Sequence, residues 1–310
     1  MRALALPESG SQPQLVDIDI PAPAAGEVRV RVHAASVNGF DLAVANGHLE
    51  GMMEHRFPVV LGKDFAGVID SVGPGVTGHA AGERVFGVVT KTFLGDGSFG
   101  EYVTVPVAVG LAKLPDGVAF AEAAGLGLAG VAALDSVRAA EIAEGSTVLV
   151  SGATGGVGGQ VVQLAVAAGA RVIATAHTDE EKAHVGALGA TETVDYTRDP
   201  AGAVLAGHPD GVDVVFHFAG DAATLLPALR NGGRVVSPLL GSPDQLPTET
   251  ATVIPIYANP APETLARLAQ NQADGATTVI VQRKYPLADV PTAFADFAAG
   301  TLGKLVVTID

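Results

Sequence analysis

A chain of 310 residues, 48% hydrophobic and 16% charged, has material for two ordinary domains with large cores and does not read as disordered. Lys and Arg number 18 against 33 Asp and Glu, a formal net charge of −15 that leaves no basic stripe for nucleic acid or an anionic membrane. With no cysteine, disulfides, thiol nucleophiles and thiolate zinc sites are excluded.

The opening MRALALPESG carries one Arg before Pro7 and Glu8, unlike a secretory leader. No apolar run reaches the roughly 18–20 uninterrupted residues of a membrane span. A soluble cytoplasmic protein, with neither nucleic acid nor membrane as partner, is the expectation. The first hundred or so residues are rich in short strands and turns. Residues 28–33, VRVRVH, alternate as a half-buried strand does. Further short strands are predicted at 59–61, 67–72, 84–89 and 101–105, punctuated by Gly, Pro and Asp. From about residue 120 the pattern changes. Helices over 120–128 and 131–140 precede apolar strands at 148–151, 172–175, 193–194, 212–217 and 234–238, an alternation that predicts a parallel, doubly wound sheet. A helix (262–271), a strand (278–281), a helix (290–299) and a closing strand (304–309) complete the chain, without internal repeats.

Residues 147–175, TVLVSGATGGVGGQVVQLAVAAGARVIAT, carry the strongest local signal. A β-branched run meets a glycine cluster (Gly152, Gly155, Gly156, Gly158, Gly159). Apolar residues then recur at helical spacing until Gly169, and a second strand follows. Glycines permit the tight turn and let backbone N–H groups approach a diphosphate at the helix N-terminus. The string acquires weight because strand, helix and second strand all fall where the motif requires them.

Other short strings accompany it in order: Gly26-Glu27-Val28, Val37-Asn38-x-x-Asp41, Leu61-Gly62-x-Asp64-x-Ala66-Gly67, Gly82-Glu83-Arg84-Val85 and Gly100-Glu101-Tyr102-Val103. Leu188-Gly189-Ala190, Asp195-Tyr196, Gly232-Gly233-Arg234-Val235 and Gly303-Lys304-Leu305-Val306 follow. Together they closely resemble the medium-chain dehydrogenase/reductase superfamily, in its zinc-free quinone oxidoreductase (zeta-crystallin-like) branch. The resemblance implies an α/β protein. Residues 1–120, completed by 258–310, would form a GroES-like, partly open β-barrel; residues 121–257 would form a doubly wound Rossmann domain. A homodimer is also expected.

Zinc members of that superfamily carry a Cys and a His where this chain has Asn38 and Lys63, neither of which supplies what a tetrahedral zinc needs. No metal is expected; the one tight acid–His cluster, His48, Glu54 and His55, reads as a solvated loop. Thr154, Gly155, Gly156 and Val157 would hold the diphosphate. The second strand ends at Thr175, and no acid follows until Asp179, which favours a 2′-phosphate and hence NADPH. Tyr196 matches the position whose ring lies against that phosphate, and His177 and Thr178 are possible donors. The family's phosphate-binding Lys falls on Glu181, with Lys182 next, so Lys182 is either a displaced phosphate ligand or a solvent-facing ion-pair partner.

Phe218, Ala219, Ser237 and Leu239 end two later strands where ligands of open α/β sheets bind, and Lys304 is assigned to the cofactor site by the resemblance. Asn38 is the first candidate for catalysis, bonding the nicotinamide ribose and presenting an N–H to the substrate oxygen; its alternative is a turn residue before a helix. Lys63 is the second candidate, as donor to a developing oxyanion in an inter-domain cleft, or else a surface ammonium. Asp41 reads as a helix-start residue, Asp64 as structural and Tyr102 as core. Phe40, Phe93, Phe99, Leu240 and Tyr257 are candidates for an apolar wall, with core packing the default for each. Ala45 and Ala132 replace an Arg and a Thr common in the family. The implied activity is NADPH-dependent reduction of a small-molecule quinone or enone. A dedicated biosynthetic enoyl reductase and an NADPH-binding regulatory protein stay open.

Overall fold

Short apolar stretches separated by turn residues become strands because each buries alternate side chains on one face of a sheet. In the computed structural model, which describes residues 1–309, these stretches build one of two units, Met1–Ala129 with Pro260–Gly275 and the chain from Val279 onward. Its first elements are β1 (Arg2–Leu6), β2 (Gln14–Asp17), β3 (Glu27–Ser36) and helix α1 (Gly39–Ala45). Strands β4 (Glu54–His55), β5 (Val59–Val60), β6 (Asp64–Val72), β7 (Arg84–Val88), β8 (Phe93–Leu94), β9 (Tyr102–Pro106) and β10 (Leu111–Lys113) follow, and then helix α2 (Phe120–Ala140).

The second unit, Gly130–Asn259 with Ala276–Thr278, alternates strand and helix. It contains β11 (Thr147–Ser151), α3 (Gly156–Ala167), β12 (Arg171–Thr175), α4 (Asp179–Ala187), β13 (Glu192–Val194), α5 (Pro200–Gly207), β14 (Val212–His217), β15 (Leu229–Ser237) and β16 (Ala251–Pro255). All six strands are parallel, in the order β13-β12-β11-β14-β15-β16. That is the doubly wound 3-2-1-4-5-6 arrangement of a Rossmann domain. The chain then adds α6 (Pro262–Ala273), β17 (Val281–Pro286), α7 (Val290–Ala298) and β18 (Lys304–Thr308) to the first unit.

Strand β3 organises the first unit. One edge pairs along its length with β6; the other is divided, with residues 27–31 taken by β9 and 34–36 by β18. Every pairing is antiparallel. Its inward face (Val28, Val30, Val32) joins Phe65, Ile69, Phe99, Leu305 and Val307 in one core drawn from both ends of the chain.

Three expectations need correction. The strand placed at 278–281 lies at Val281–Pro286, because Thr278 is committed to bonds with Gln160 and Gln163 while β17 pairs in parallel with β18. Strands β1, β2, β4, β8, β10 and β16 are additional to the predicted ones; β2 exposes most of its side chains and β16 only half-buries its own, so neither carries the pattern of a buried strand. Helix α2 is, by length and composition, long and apolar enough to cross a membrane, with a mean hydropathy of 1.4, yet 67% of that window is buried within the protein. It is also broken at Gly127 (φ −41°, ψ −108°), and the passage from the first unit to the second falls just beyond, after Ala129 instead of at residue 120.

Candidate active site

Three strand ends of the first unit bring a polar cluster into an apolar core. Ser36 closes β3, Asp64 opens β6 and Lys304 opens β18, while Asn38 and Asp41 start α1. Asp64 is fully buried, and Asp41, Lys304 and Asn38 are 1%, 5% and 7% exposed. Buried charges must be paired and hydrogen-bonded, and Asp64 is. It accepts from Ser36 Oγ (2.6 Å), Asn38 Nδ2 (2.8 Å) and Leu128 N (2.7 Å), with Lys304 Nζ 3.8 Å away. The contact with Leu128 N requires the break at Gly127, where a Cβ would stand 2.4 Å from Asp64 Oδ1.

Asn38 occupies the N-cap of α1, but its side chain does not cap the helix. Its Nδ2 donates to Asp64 Oδ2 and, at 3.4 Å, to Ser36 O, and its Oδ1 accepts from Lys304 Nζ at 2.8 Å. Both amide hydrogens are engaged, so the expected N–H toward a substrate oxygen is available only if one of these bonds breaks. Lys304 Nζ also donates to Val37 O (2.9 Å), so it anchors Asn38 from within the core. Burial lowers the Lys304 pKa, against the opposing charges of Asp64 and Asp41. Asp41 accepts the Asn38 backbone N–H at 2.8 Å, the helix-start role read from the sequence. Burial, then the charge of Asp64, pushes its pKa up to about 7 against the pull of the Asn38 N–H, Lys304 and Lys63.

Lys63 precedes β6. Its Nζ donates to Val89 O at 2.7 Å and lies 4.7 Å from the centre of the Phe40 ring. It is part-buried, and burial lowers its pKa while Asp41 and Asp64 oppose the shift. An ammonium has three donors, so Lys63 keeps hydrogens to give.

In the second unit the glycine cluster forms the expected turn. Gly152 has φ +70°, and its N–H donates to Thr175 Oγ1 at 3.1 Å. At Gly158 a Cβ would lie 2.2 Å from Gly152 O, so only glycine lets α3 approach β11 this closely. Gly155 is the N-cap of α3 and offers no capping side chain, which leaves the first N–H groups of the helix to an outside acceptor. Thr154, Gly156 and Val157 are part-buried beside it. Ser151 Oγ bonds Ala219 O (2.6 Å), drawing the ends of β11 and β14 together, with Phe218 part-buried and Ala219 exposed. Ser237 is buried, its Oγ held by His217 Nδ1 (2.9 Å) and Leu239 N (3.0 Å), and Leu239 is 57% exposed.

Beyond β12 the donors proposed for a phosphate have internal partners. Thr178 caps α4, accepting from Glu181 N at 3.1 Å, while Glu181 accepts from His177 N, from Thr178 N (3.2 Å) and from Tyr196 Oη (3.1 Å). His177 Nδ1 lies 3.1 Å from Asp195, whose pKa is drawn down to about 2 chiefly by hydrogen bonds from Thr197. Lys182 pairs with Asp179 at 3.3 Å, the geometry of the solvent-facing alternative.

Phe99 takes the core position that was its default, while Tyr257 and Tyr102 sit differently from expectation. Phe99 is fully buried beside Phe294, Tyr257 is 73% exposed, and Tyr102 is only part-buried, beneath the Arg29 guanidinium. His55 turns to Met53 O and Glu54 pairs with Arg56; among the described residues no three His, Cys, Asp or Glu side chains are grouped to hold a metal. A zinc ion does not fit here: Asn38 is spent on Asp64 and Lys304, and Lys63 is an ammonium in place of an imidazole.

An alcohol dehydrogenase GroES-like domain matches residues 24–116, and a zinc-binding dehydrogenase domain matches residues 156–255. Over 310 residues the chain is 29% identical to the chloroplast envelope quinone oxidoreductase homolog of Arabidopsis thaliana, covering 94% of this chain and 92% of that one. It is 31% identical to a mycocerosic acid synthase-like polyketide synthase of Mycolicibacterium smegmatis, covering 96% of this chain but 15% of that much longer protein. Among solved structures, an NAD-dependent alcohol dehydrogenase (TM-score 0.89) and mycobacterial Rv1454c in complex with NADPH (TM-score 0.86) are each 28% identical, with both chains fully covered. Two domain matches in the order that the barrel and the parallel sheet require, with relatives spanning the whole chain, establish that this protein belongs to the medium-chain dehydrogenase/reductase superfamily, in its quinone oxidoreductase branch.

Proposed function

We propose that the chain is a zinc-independent, NADPH-dependent oxidoreductase that reduces quinones or α,β-unsaturated carbonyls. The observation that carries this reading is the amide and ammonium, Asn38 and Lys63, at the positions where zinc members place ligands. The similarity to a quinone oxidoreductase homolog and to an NADPH-bound structure supports it.

A nicotinamide, when bound, would supply the hydride. The chain supplies binding and electrostatics. The open N-terminus of α3 and the Gly152 turn would hold the diphosphate. Lys304 and Asp64 hold Asn38 in one orientation. Lys63, part-buried and still rich in hydrogens, donates to the oxygen on which negative charge grows, where a preorganised donor in a low dielectric acts most strongly.

Oxidation of NADPH should be followed with a panel of quinones and enones, alongside calorimetry with NADPH and NADH. Turnover is expected with at least one acceptor class, with tighter binding of NADPH. Lys63→Met is expected to lower kcat about 100-fold, in the range for loss of a proton donor, without loss of fold. NADPH binding without turnover of any acceptor overturns the proposal. The match to a polyketide synthase segment favours a second reading, an enoyl reductase of one biosynthetic intermediate; activity confined to thioester enones would select it. The same proposal includes a homodimer, which light scattering checks.

A further inference from the structure

Asp41 does more than a helix start requires. One carboxylate oxygen suffices to accept the Asn38 N–H, and Oδ2 does so; Oδ1 is buried without a hydrogen-bond partner among the described residues. Such an oxygen is costly unless something else meets it. Asp41 lines a recess of about 20 Å³ whose walls include Phe40, Lys63, Val89 and Asp96. One water needs roughly 10–15 Å³ and at least two polar partners. Asp41 and Lys63 both line the recess, and each has bonding capacity left, Asp41 at Oδ1 and Lys63 at Nζ, which has one hydrogen bond, to Val89 O.

We infer that Asp41 is a proton store, a neutral carboxylic acid linked to Lys63 through a single water in this recess. The inference rests on the reading of Lys63 as the donor to the reduced substrate. After hydride addition, an electron pair sits on the substrate oxygen. That pair takes a proton from Lys63 Nζ, the neutral amine takes one from the water, and the water takes one from Asp41 Oδ1. The substrate has gained a hydride and a proton, Lys63 is again an ammonium, and Asp41 is left as a carboxylate to be reprotonated from solvent.

The surroundings suit this role. Asp64 on β6 disfavours a second negative charge, Lys304 on β18 and Lys63 favour one, and Asp96 on the recess wall is neutralised by Lys91. Burial first, and then Asp64, outweighs the two lysines and leaves Asp41 titrating at about 7, where it can both hold and release a proton, while burial lowers the Lys63 pKa and eases its donation.

The test combines infrared titration of the whole protein with kinetics. Wild type is expected to show a protonated carboxyl band that disappears near pH 7 and is absent from Asp41→Asn, a variant that keeps an acceptor for the Asn38 N–H. In NADPH oxidation, kcat of the wild type should fall above that pH. Asp41→Asn should lower kcat about tenfold with KM little changed, and should lose this limb. Lys63→Gln should keep the band but lose the limb, and it serves if Asp41→Asn does not fold. Absence of the band from wild type, or wild-type kcat and pH profile in Asp41→Asn, overturns the inference. If wild type reduces no acceptor, the reduction proposal fails separately, and the band alone then decides whether Asp41 holds a proton.

Discussion

Asp41 ties the chemistry of one residue to the stability of the fold. Its carboxyl keeps a proton up to about pH 7 in the folded chain, against an ordinary 3.8. Between those values the native state binds more protons than the unfolded state, so unfolding free energy falls as pH rises through the window. Asp41→Asn removes the titration, and urea unfolding should show a flatter dependence between pH 4 and 7. At neutral pH the variant is expected to be more stable, with an upper bound of about 4 kcal/mol at 1.36 kcal/mol per pKa unit. Lys304 acts in the opposite sense. Its ammonium is the buried counter-charge of Asp64, and Lys304→Met strands that carboxylate, at an expected cost of about 3–5 kcal/mol in the same measurement. The residue types of this cluster could be read in advance, but their bonds could not. Asn38 stood out because it occupies a ligand position; that Lys304, 266 residues away in sequence, accounts for its Oδ1 is a tertiary fact.

Among the elements, the glycines at two close approaches make the sharpest predictions. A Cβ at position 158 would overlap Gly152 O, so Gly158→Ala should push α3 off β11, cost about 1–3 kcal/mol by thermal unfolding, and weaken NADPH binding at least tenfold by calorimetry. At Gly127 the added methyl would meet Asp64 Oδ1, and Gly127→Ala should cost a similar amount while leaving the dinucleotide loop intact. Gly158 was legible, because a strand–glycine–helix string announces its geometry. The break was legible only as an interruption between helices at 129–130; nothing local within LGLAG singles out Gly127 as the residue that leaves helical geometry. Its necessity comes from a carboxylate 63 residues earlier in the chain, the one that accepts Leu128 N. Strand β17 escaped for a related reason. Its sequence, VQRKYP, is polar along most of its length, and it is a strand because β18 lies beside it.

For the whole molecule, the first unit is discontinuous, and its last strand lies against the C-terminal end of its longest one. A chain ending at Asn259 would lack β17 and β18, uncover the 34–36 edge of β3 and remove Lys304 from the polar cluster. Such a fragment should lose the barrel's cooperative unfolding and become protease-sensitive before residue 129, as circular dichroism and limited digestion would show. What the sequence determined by itself was local and periodic: five of the six strands of the parallel sheet, the glycine turn, the absence of thiolate ligands, and the order of motifs that predicts a barrel interrupted by a Rossmann domain. These follow from side-chain spacing and backbone freedom, which act over a few residues. Only the tertiary structure decided where the hydrogens of Asn38 go, that Glu181 accepts from Tyr196 Oη beyond β12, and that Asp41 is left with one bare oxygen in a recess that Lys63 also lines. Satisfaction of a buried polar group depends on which distant atoms arrive within about 3 Å of it, and spacing along a chain carries no such information.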